Sequence, residues 1–383
     1  MSEATDQQAP VGVKDIGGFQ VVKELNVRSA HKIAEVTTQH GPGIAKVGEE
    51  TPEAKAQFTT EARIHQAAKS VLSSNRRDAI PGVIHAPSAT VTGEDGIATD
   101  RAVLITEKIG EGKTLADVLN ETGGMGVTES FKRLFPVALA IDDMRKTGII
   151  HRDLKPSNIV FDNNGKGRLM DFGAAVTTLH RSDDGLIYGT PGYIAPEHAR
   201  GDFATDNTNI WGFGAVVFNA VTGKHVMEPE LFKNDLKLAY TLFYNRDAYE
   251  KYIGERIDTL SPLMQDVFKK ALAFDPGDRY NSCTAFLLDL EHAEEDAAQS
   301  STEIPASIVE PQQEAQSRQD VHPEARSISN ILHKLANIGR ERRAHEQHDH
   351  RDTRRPAKRH ERIIQAPRHR KTTHAPQHAK AKE

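Results

Sequence analysis

The stretch His151-Arg152-Asp153-Leu154-Lys155-Pro156-Ser157-Asn158 constrains this chain more than any other. Its proline cannot continue a helix, so a carboxylate (Asp153), an ammonium (Lys155) and a carboxamide (Asn158) share one short, stiffened loop. Those groups suit phosphoryl transfer. The carboxylate can orient and deprotonate an attacking hydroxyl, the ammonium can neutralise charge on the moving phosphoryl group, and the amide oxygen can ligate Mg2+. On its own a His-Arg-Asp tripeptide is equally a solvated loop, so the weight falls on what surrounds it.

Residues 1–18 are polar and are expected to form an extension. Alternating apolar residues over Phe19–Leu25 predict a first strand. Strands around Ile33–Val36 and Ile44–Val47, separated by Gly41-Pro42-Gly43, continue it as an antiparallel meander. Apolar residues at helical spacing predict a helix over Ala54–Val71 that carries Glu61. Further strands are expected near Val83–Val91 and Ala102–Glu107, joined by the polar turn Thr92–Gly96. After Gly110-Glu111-Gly112 the pattern turns helical, over Leu115–Leu119, Phe131–Met144, Ile210–Val221, Leu260–Ala273 and Cys283–His292. The globular patterning is expected to stop near 295. Residues 296–326 have a linker composition of Ser, Glu, Gln and Pro with little to bury. Within 327–339, Ile328, Ile331, Leu332, Leu335 and Ile338 outline an amphipathic helix, and 340–383 is a basic, His-rich tail expected to be disordered.

Cys283 is the only cysteine, which excludes a disulfide framework and a cysteine-rich zinc site. No apolar run approaches the roughly 18 residues of a membrane span, so a soluble protein without a transmembrane segment is expected. The reading is cytoplasmic, with delivery into another cell left open. Charge is unevenly spread: residues 340–383 hold 14 Lys/Arg against 6 Asp/Glu, although the whole chain has a net charge of -5. Such a tail can attract nucleic acid, an anionic membrane or an acidic docking partner, or simply solubilise the chain. It lacks interleaved aromatics for stacking on bases.

Three further motifs stand downstream of the loop. Asp171-Phe172-Gly173 offers a second magnesium aspartate beside a flexible glycine, the run Gly189-Thr190-Pro191-Gly192-Tyr193-Ile194-Ala195-Pro196-Glu197 is long and specific, and Asp275-Pro276-Gly277-Asp278-Arg279-Tyr280 follows later. Together with His151–Asn158 they make the chain resemble the eukaryotic-like Ser/Thr protein kinases over roughly residues 19–295. The resemblance implies an α+β, bilobal fold with a small antiparallel β-rich lobe and a larger helical lobe, and ATP and Mg2+ as cofactors. It implies Asp153 as base, Lys155 as charge stabiliser, and Asn158 and Asp171 as metal ligands. Lys46 is similar to the strand lysine that grips the α- and β-phosphates and Glu61 to the helix glutamate that holds it, with Lys32 and Lys55 as rivals to Lys46. Val103–Ile109 resembles the last strand and hinge, where the Glu107 carbonyl and the Ile109 N–H would meet adenine and Thr106 would stand as gatekeeper. Thr190 would bond Asp153 and Lys155, and Glu197 and Arg279 resemble a buttressing ion pair on the substrate side.

The chain departs from that pattern in three places. Between Leu25 and Ile33, where a glycine-rich phosphate loop is usual, there is no glycine; Arg28, Ser29, His31 or Lys32 can replace the bare backbone, or the loop is a solvated hairpin. Ile44 stands where alanine usually precedes the lysine by two. Asn209 replaces an aspartate at the start of a central helix, which removes charge assistance from its hydrogen bonds, and Asp206 is a candidate to compensate. Thr177, Thr178 and Ser182 are candidate phosphosites whose phosphate could pair with Arg152, unless Asp183 or Asp184 already orders that segment.

These observations predict an ATP- and Mg2+-dependent serine/threonine protein kinase acting on a protein substrate, with autophosphorylation. A pseudokinase or kinase-shaped scaffold and a small-molecule kinase are the alternatives.

Overall fold

The computed structural model describes residues 12–25, 31–178 and 189–302. Most of the glycine-free loop, Ser182, Asp183, Asp184 and everything expected beyond 302 lie outside them.

The first strand, β1 (Val13–Ile16), precedes the expected start of the folded unit. Gly17 and Gly18, both with positive φ (64° and 85°), turn it back onto β2 (Phe19–Leu25), with Ile16 opposite Phe19. The pairing with a later strand shifts register between Val13 and Asp15. That irregularity breaks the strict alternation that would have marked residues 13–16 as a strand, so the expected polar extension is shorter than 1–18. The chain continues through β3 (Lys32–Thr38), β4 (Gly41–Val47) and helix α1 (Pro52–Val71). Thr51 caps α1 by accepting the Ala54 N–H at 3.1 Å, and Pro52 opens it where no donor is required. The single strand expected over Val83–Val91 is two, β5 (Val83–His85) and β6 (Ser88–Gly93), interrupted at Ala86-Pro87 because proline supplies no ladder donor. The long β7 (Ala98–Glu107) follows.

The seven-stranded sheet runs β4-β3-β2-β1-β6-β7-β5, and an additional β4–β7 pairing closes six of these strands into a ring. The inward face is apolar: Ile16, Ala34, Val36, Ala45, Val47, Val91, Val103 and Ile105 fill it. Closure removes the exposed edges that an open sheet would leave. On the opposite face Phe58 and Ala62 of α1 pack on Ala102 and Leu104, which seats the helix against the sheet.

The large lobe is helical: α2 (Leu115–Thr122), α3 (Gly126–Arg145), α4 (Pro196–Ala199), α5 (Asp206–Thr222), α6 (Leu231–Asn234), α7 (Leu236–Tyr244), α8 (Arg246–Ile257), α9 (Pro262–Ala271) and α10 (Cys283–Thr302). Short strands β8 (Ile149–Ile150), β9 (Ile159–Phe161), β10 (Gly167–Leu169) and β11 (Val176–Thr177) lie between α3 and α4. Helix α5 is buried on every side from Thr208 to Ala220 and forms the centre of the lobe. Helices α6 to α8 were not expected. In α8 only Tyr249, Ile253 and Ile257 are buried among polar neighbours, too sparse a stripe to register as a period. Helix α10 passes the expected boundary at 295; its first turn is capped from α3, where Asp142 accepts the Cys283 and Thr284 N–H groups at 2.7 and 3.0 Å. No helix among the described residues is long and apolar enough to cross a membrane.

Candidate active site

Buried strand β8 delivers the chain into His151, whose ring is fully buried. Its Nε2 donates to the Met170 carbonyl at 3.1 Å and its main-chain N–H donates to Asn209 Oδ1 at 3.1 Å. Arg152 then adopts φ 65°, and its Nε donates to Ala174 O at 2.6 Å. Left-handed backbone at a residue with a Cβ costs about 1–3 kcal/mol, and these bonds hold it. The turn swings Asp153 out of the buried strand direction. Asp153 Oδ1 accepts the Thr190 hydroxyl at 2.7 Å and Oδ2 accepts Lys155 Nζ at 2.7 Å, while Lys155 also donates to Thr190 Oγ1 at 2.9 Å. Asn158 Nδ2 donates to the Asp153 carbonyl at 2.9 Å and to Oδ2 at 3.2 Å. With both amide hydrogens committed to Asp153, the carboxamide oxygen is the group left to act as a ligand.

Lys46 on β4 makes the second cluster. Its Nζ lies 3.1 Å from both carboxylate oxygens of Glu61 on α1 and 3.1 Å from Asp171 Oδ1. Burial alone would lower the Lys46 pKa, but Asp171 and Glu61 more than offset it, so the ammonium is held charged. Burial pushes Glu61 up to about 7, with Lys46 pulling it back only in part. Desolvation by the groups packed around the Asp171 carboxyl would raise it, yet Lys46 and Lys155 overcome this and hold it below the usual range. Asp171 has φ 60°, the second left-handed residue with a side chain beside the site. Phe172, fully buried, lies between two rings, His65 at 4.7 Å and His151 at 5.0 Å. His65 donates through Nε2 to Pro81 O at 2.8 Å. Lys32 and Lys55 are not in this cluster.

At the end of β7, Thr106 is buried and the chain leaves the sheet. The Glu107 N–H donates to Gly82 O at 2.9 Å and the Glu107 carboxylate accepts Gly82 N–H at 2.5 Å. The Ile109 carbonyl accepts Gly112 N–H at 2.9 Å, and the Ile109 N–H donates to no group among the described residues. Farther away, Arg279 grips Glu197 with two parallel bonds of 2.8 and 2.7 Å. Its remaining hydrogens reach the Ala273, Asn207 and Phe274 carbonyls, and Thr208 donates to Glu197 at 2.9 Å. Burial would raise Glu197, but Arg279 holds it below the usual carboxylate range.

One expectation meets different geometry. Asp206 does not compensate for Asn209: it pairs with Arg145 at the end of α3, because the first turn of α5 faces that helix. Thr177 is a strand residue opposite Ile149, while Thr178 is exposed with its N–H bonded to Gly148 O at 2.8 Å. Sequence reasoning missed His65, one helical turn after Glu61, and an ion pair between Glu35 and Lys108 at 2.7 Å. The i, i+4 spacing of His65 from Glu61 was the only available signal for the first; nothing local marks the second.

The family profile described as protein kinase domain matches residues 53–289, more than half of the chain. This chain belongs to that family. The matched segment begins after Lys46, whose place rests on the geometry above. The chain is similar to a probable serine/threonine-protein kinase of Corynebacterium efficiens, 31% identical over 208 residues that make up 52% of this chain and 31% of the relative. It is 32% identical to the probable serine/threonine-protein kinase PknB of Corynebacterium glutamicum over 205 residues, 52% of this chain and 31% of the relative. Against serine/threonine-protein kinase PknL of Mycobacterium tuberculosis the figures are 31% over 216 residues, 56% of this chain and 52% of the relative. The alignments thus span from under a third to about half of these relatives' length.

Proposed function

We propose that this chain is an ATP- and Mg2+-dependent protein kinase that transfers the γ-phosphate to serine or threonine hydroxyls. The observation that carries the reading is the convergence of Lys46, Glu61 and Asp171, from a strand, a helix and a distant loop, at 3.1 Å contacts beside the Asp153 cluster. Asp153 accepts the proton of the attacking hydroxyl; in the free enzyme Thr190 occupies the same carboxylate. Lys155, bonded to Asp153 and Thr190, stands where charge on the transferring group would be neutralised. Lys46, oriented by Glu61, grips the non-transferred phosphates, and the Glu107 carbonyl and Ile109 N–H receive the base.

Asn158 and Asp171 fit a magnesium ion. Both present oxygen, the donor a hard cation takes, and the Asn158 oxygen is freed for it because its amide hydrogens are spent on Asp153. When bound, the ion would neutralise charge on the phosphates. The names of the relatives and the Lys155–Thr190 contact favour serine or threonine as acceptor. Thr178, exposed at the end of β11, is the more accessible of the two described candidates for autophosphorylation.

The test is transfer of labelled γ-phosphate from ATP with Mg2+ to the chain itself and to a generic basic protein, for wild type, Asp153→Ala and Asp171→Ala. Label on serine or threonine that disappears in both variants is the expected result. A wild type that binds ATP but transfers nothing would instead establish the scaffold reading.

A further inference from the structure

Cross-strand neighbours in a sheet share a face. Lys46 lies opposite Ile33 on one side and Leu104 on the other; one pleat nearer the hinge, Glu35, Ile44 and Thr106 form the next row across β3, β4 and β7. Because Lys46 reaches Glu61 and Asp171 from this face, the second row belongs to the roof of the same cleft. Glu35 therefore puts a carboxylate in that roof. Its partner is Lys108, two residues past Thr106, at 2.7 Å with each side chain only 18% exposed.

The hinge needs this tether for a local reason. The Lys108 N–H donates to the Pro42 carbonyl at 3.0 Å. In an antiparallel pair the opposite residue would return a second bond, but proline has no N–H to give. The main chain at 108 thus hangs on β4 by one bond, and the side chain adds a second tether, to Glu35 on the neighbouring β3. Just before it, Glu107 is held on the other edge by Gly82. Just after it comes the Ile109 N–H, the donor without a partner among the described residues.

We propose that Glu35 and Lys108 are positioning residues, a latch between the roof of the cleft and the hinge that sets the Glu107–Ile109 backbone for the base of the nucleotide. The inference rests on the kinase reading above and adds the determinant of base affinity. It assigns the pair to nucleotide binding and leaves the transfer step to Asp153 and Lys155.

The experiment uses the full chain with Lys108→Met, Glu35→Gln and the charge-exchanged double variant Glu35→Lys/Lys108→Glu. ATP Kd and the KM and kcat of transfer are measured, along with adenosine and inorganic tripolyphosphate as competitors. Each single variant should raise ATP KM and Kd about tenfold, equivalent to about 1.4 kcal/mol, with kcat kept. Adenosine should weaken by the same factor, tripolyphosphate should not, and the exchanged pair should recover most of the affinity. Unchanged ATP affinity in folded single variants overturns the latch, as does equal weakening of tripolyphosphate, which would mark general damage to the small lobe. Failure of the wild type to bind ATP overturns the kinase reading itself.

Discussion

The carboxamide oxygen of Asn209 accepts the His151 main-chain N–H at 3.1 Å, while its buried amide nitrogen has no partner among the described residues. The Arg152 N–H is 3.5 Å from the same oxygen. Half of this side chain braces the His151–Asn158 loop and the other half is a desolvated donor. Asn209→Asp would remove the orphan donor and add charge to the oxygen that already accepts the His151 and Arg152 N–H groups. We expect a gain of about 1 kcal/mol in unfolding free energy with transfer retained, read by urea denaturation. A loss of stability would show that burying the carboxylate outweighs the added charge assistance.

Glu197 and Arg279 are both buried and fully partnered, so removing one leaves the other charged without compensation. Arg279→Met should cost about 3–5 kcal/mol. Combining it with Glu197→Leu should cost less than the sum of the two single changes. Thermal unfolding of the three variants checks this, and strict additivity would argue against coupling.

Burial lowers the pKa of His65 and of His198 to about 4 and also lowers that of His151. An unfolded chain protonates these rings near the ordinary imidazole value of 6.5, so on acidification the unfolded state binds protons that the fold refuses. The stability contribution of His65 and His198 is present above 6.5 and drains away as the pH falls towards about 4, at roughly 1.4 kcal/mol per pH unit for each of these two rings. His198→Asn should flatten that slope in denaturation curves collected across the range. An unchanged slope would show that other groups set it.

The same cause, burial favouring the neutral form, moves Glu61 in the opposite direction, up to about 7. The stability it contributes is present below its ordinary value of 4.5 and lost as pH rises through about 7. Over that same rise the ionised partner of Lys46 appears. ATP KM should therefore fall as pH rises through about 7 in wild type, and Glu61→Gln should give a higher and flatter KM. Steady-state kinetics against ATP at fixed Mg2+ would detect both.

The parts of the site that could be read in the sequence are those carried by contiguous motifs. Asp153, Lys155, Asn158, Asp171, Thr190 and Glu197 each sit inside a run whose residues cooperate locally, and Lys46 and Glu61 stand out as charges within apolar strand and helix patterns. Arg279 was legible through the Asp275–Tyr280 motif. What escaped was tertiary. Strand β1 is held by a glycine turn and an irregular ladder, α8 by three anchors, and Asp142, Asp206 and Glu35 by partners far along the chain. Side-chain pairs of that kind leave no periodicity to detect, so neither the Asp206–Arg145 pair nor the Glu35–Lys108 contact has a sequence signature.

The most direct test of the central claim is single-turnover transfer by Asp153→Asn, with nucleotide affinity measured in parallel. Asn keeps the shape and a hydrogen-bond acceptor for Thr190 or Lys155 but cannot take the proton. ATP binding should be nearly unchanged and the transfer rate lower by about 10²–10⁴. Transfer at the wild-type rate, or a loss of ATP binding in step with rate, would contradict the role given to Asp153.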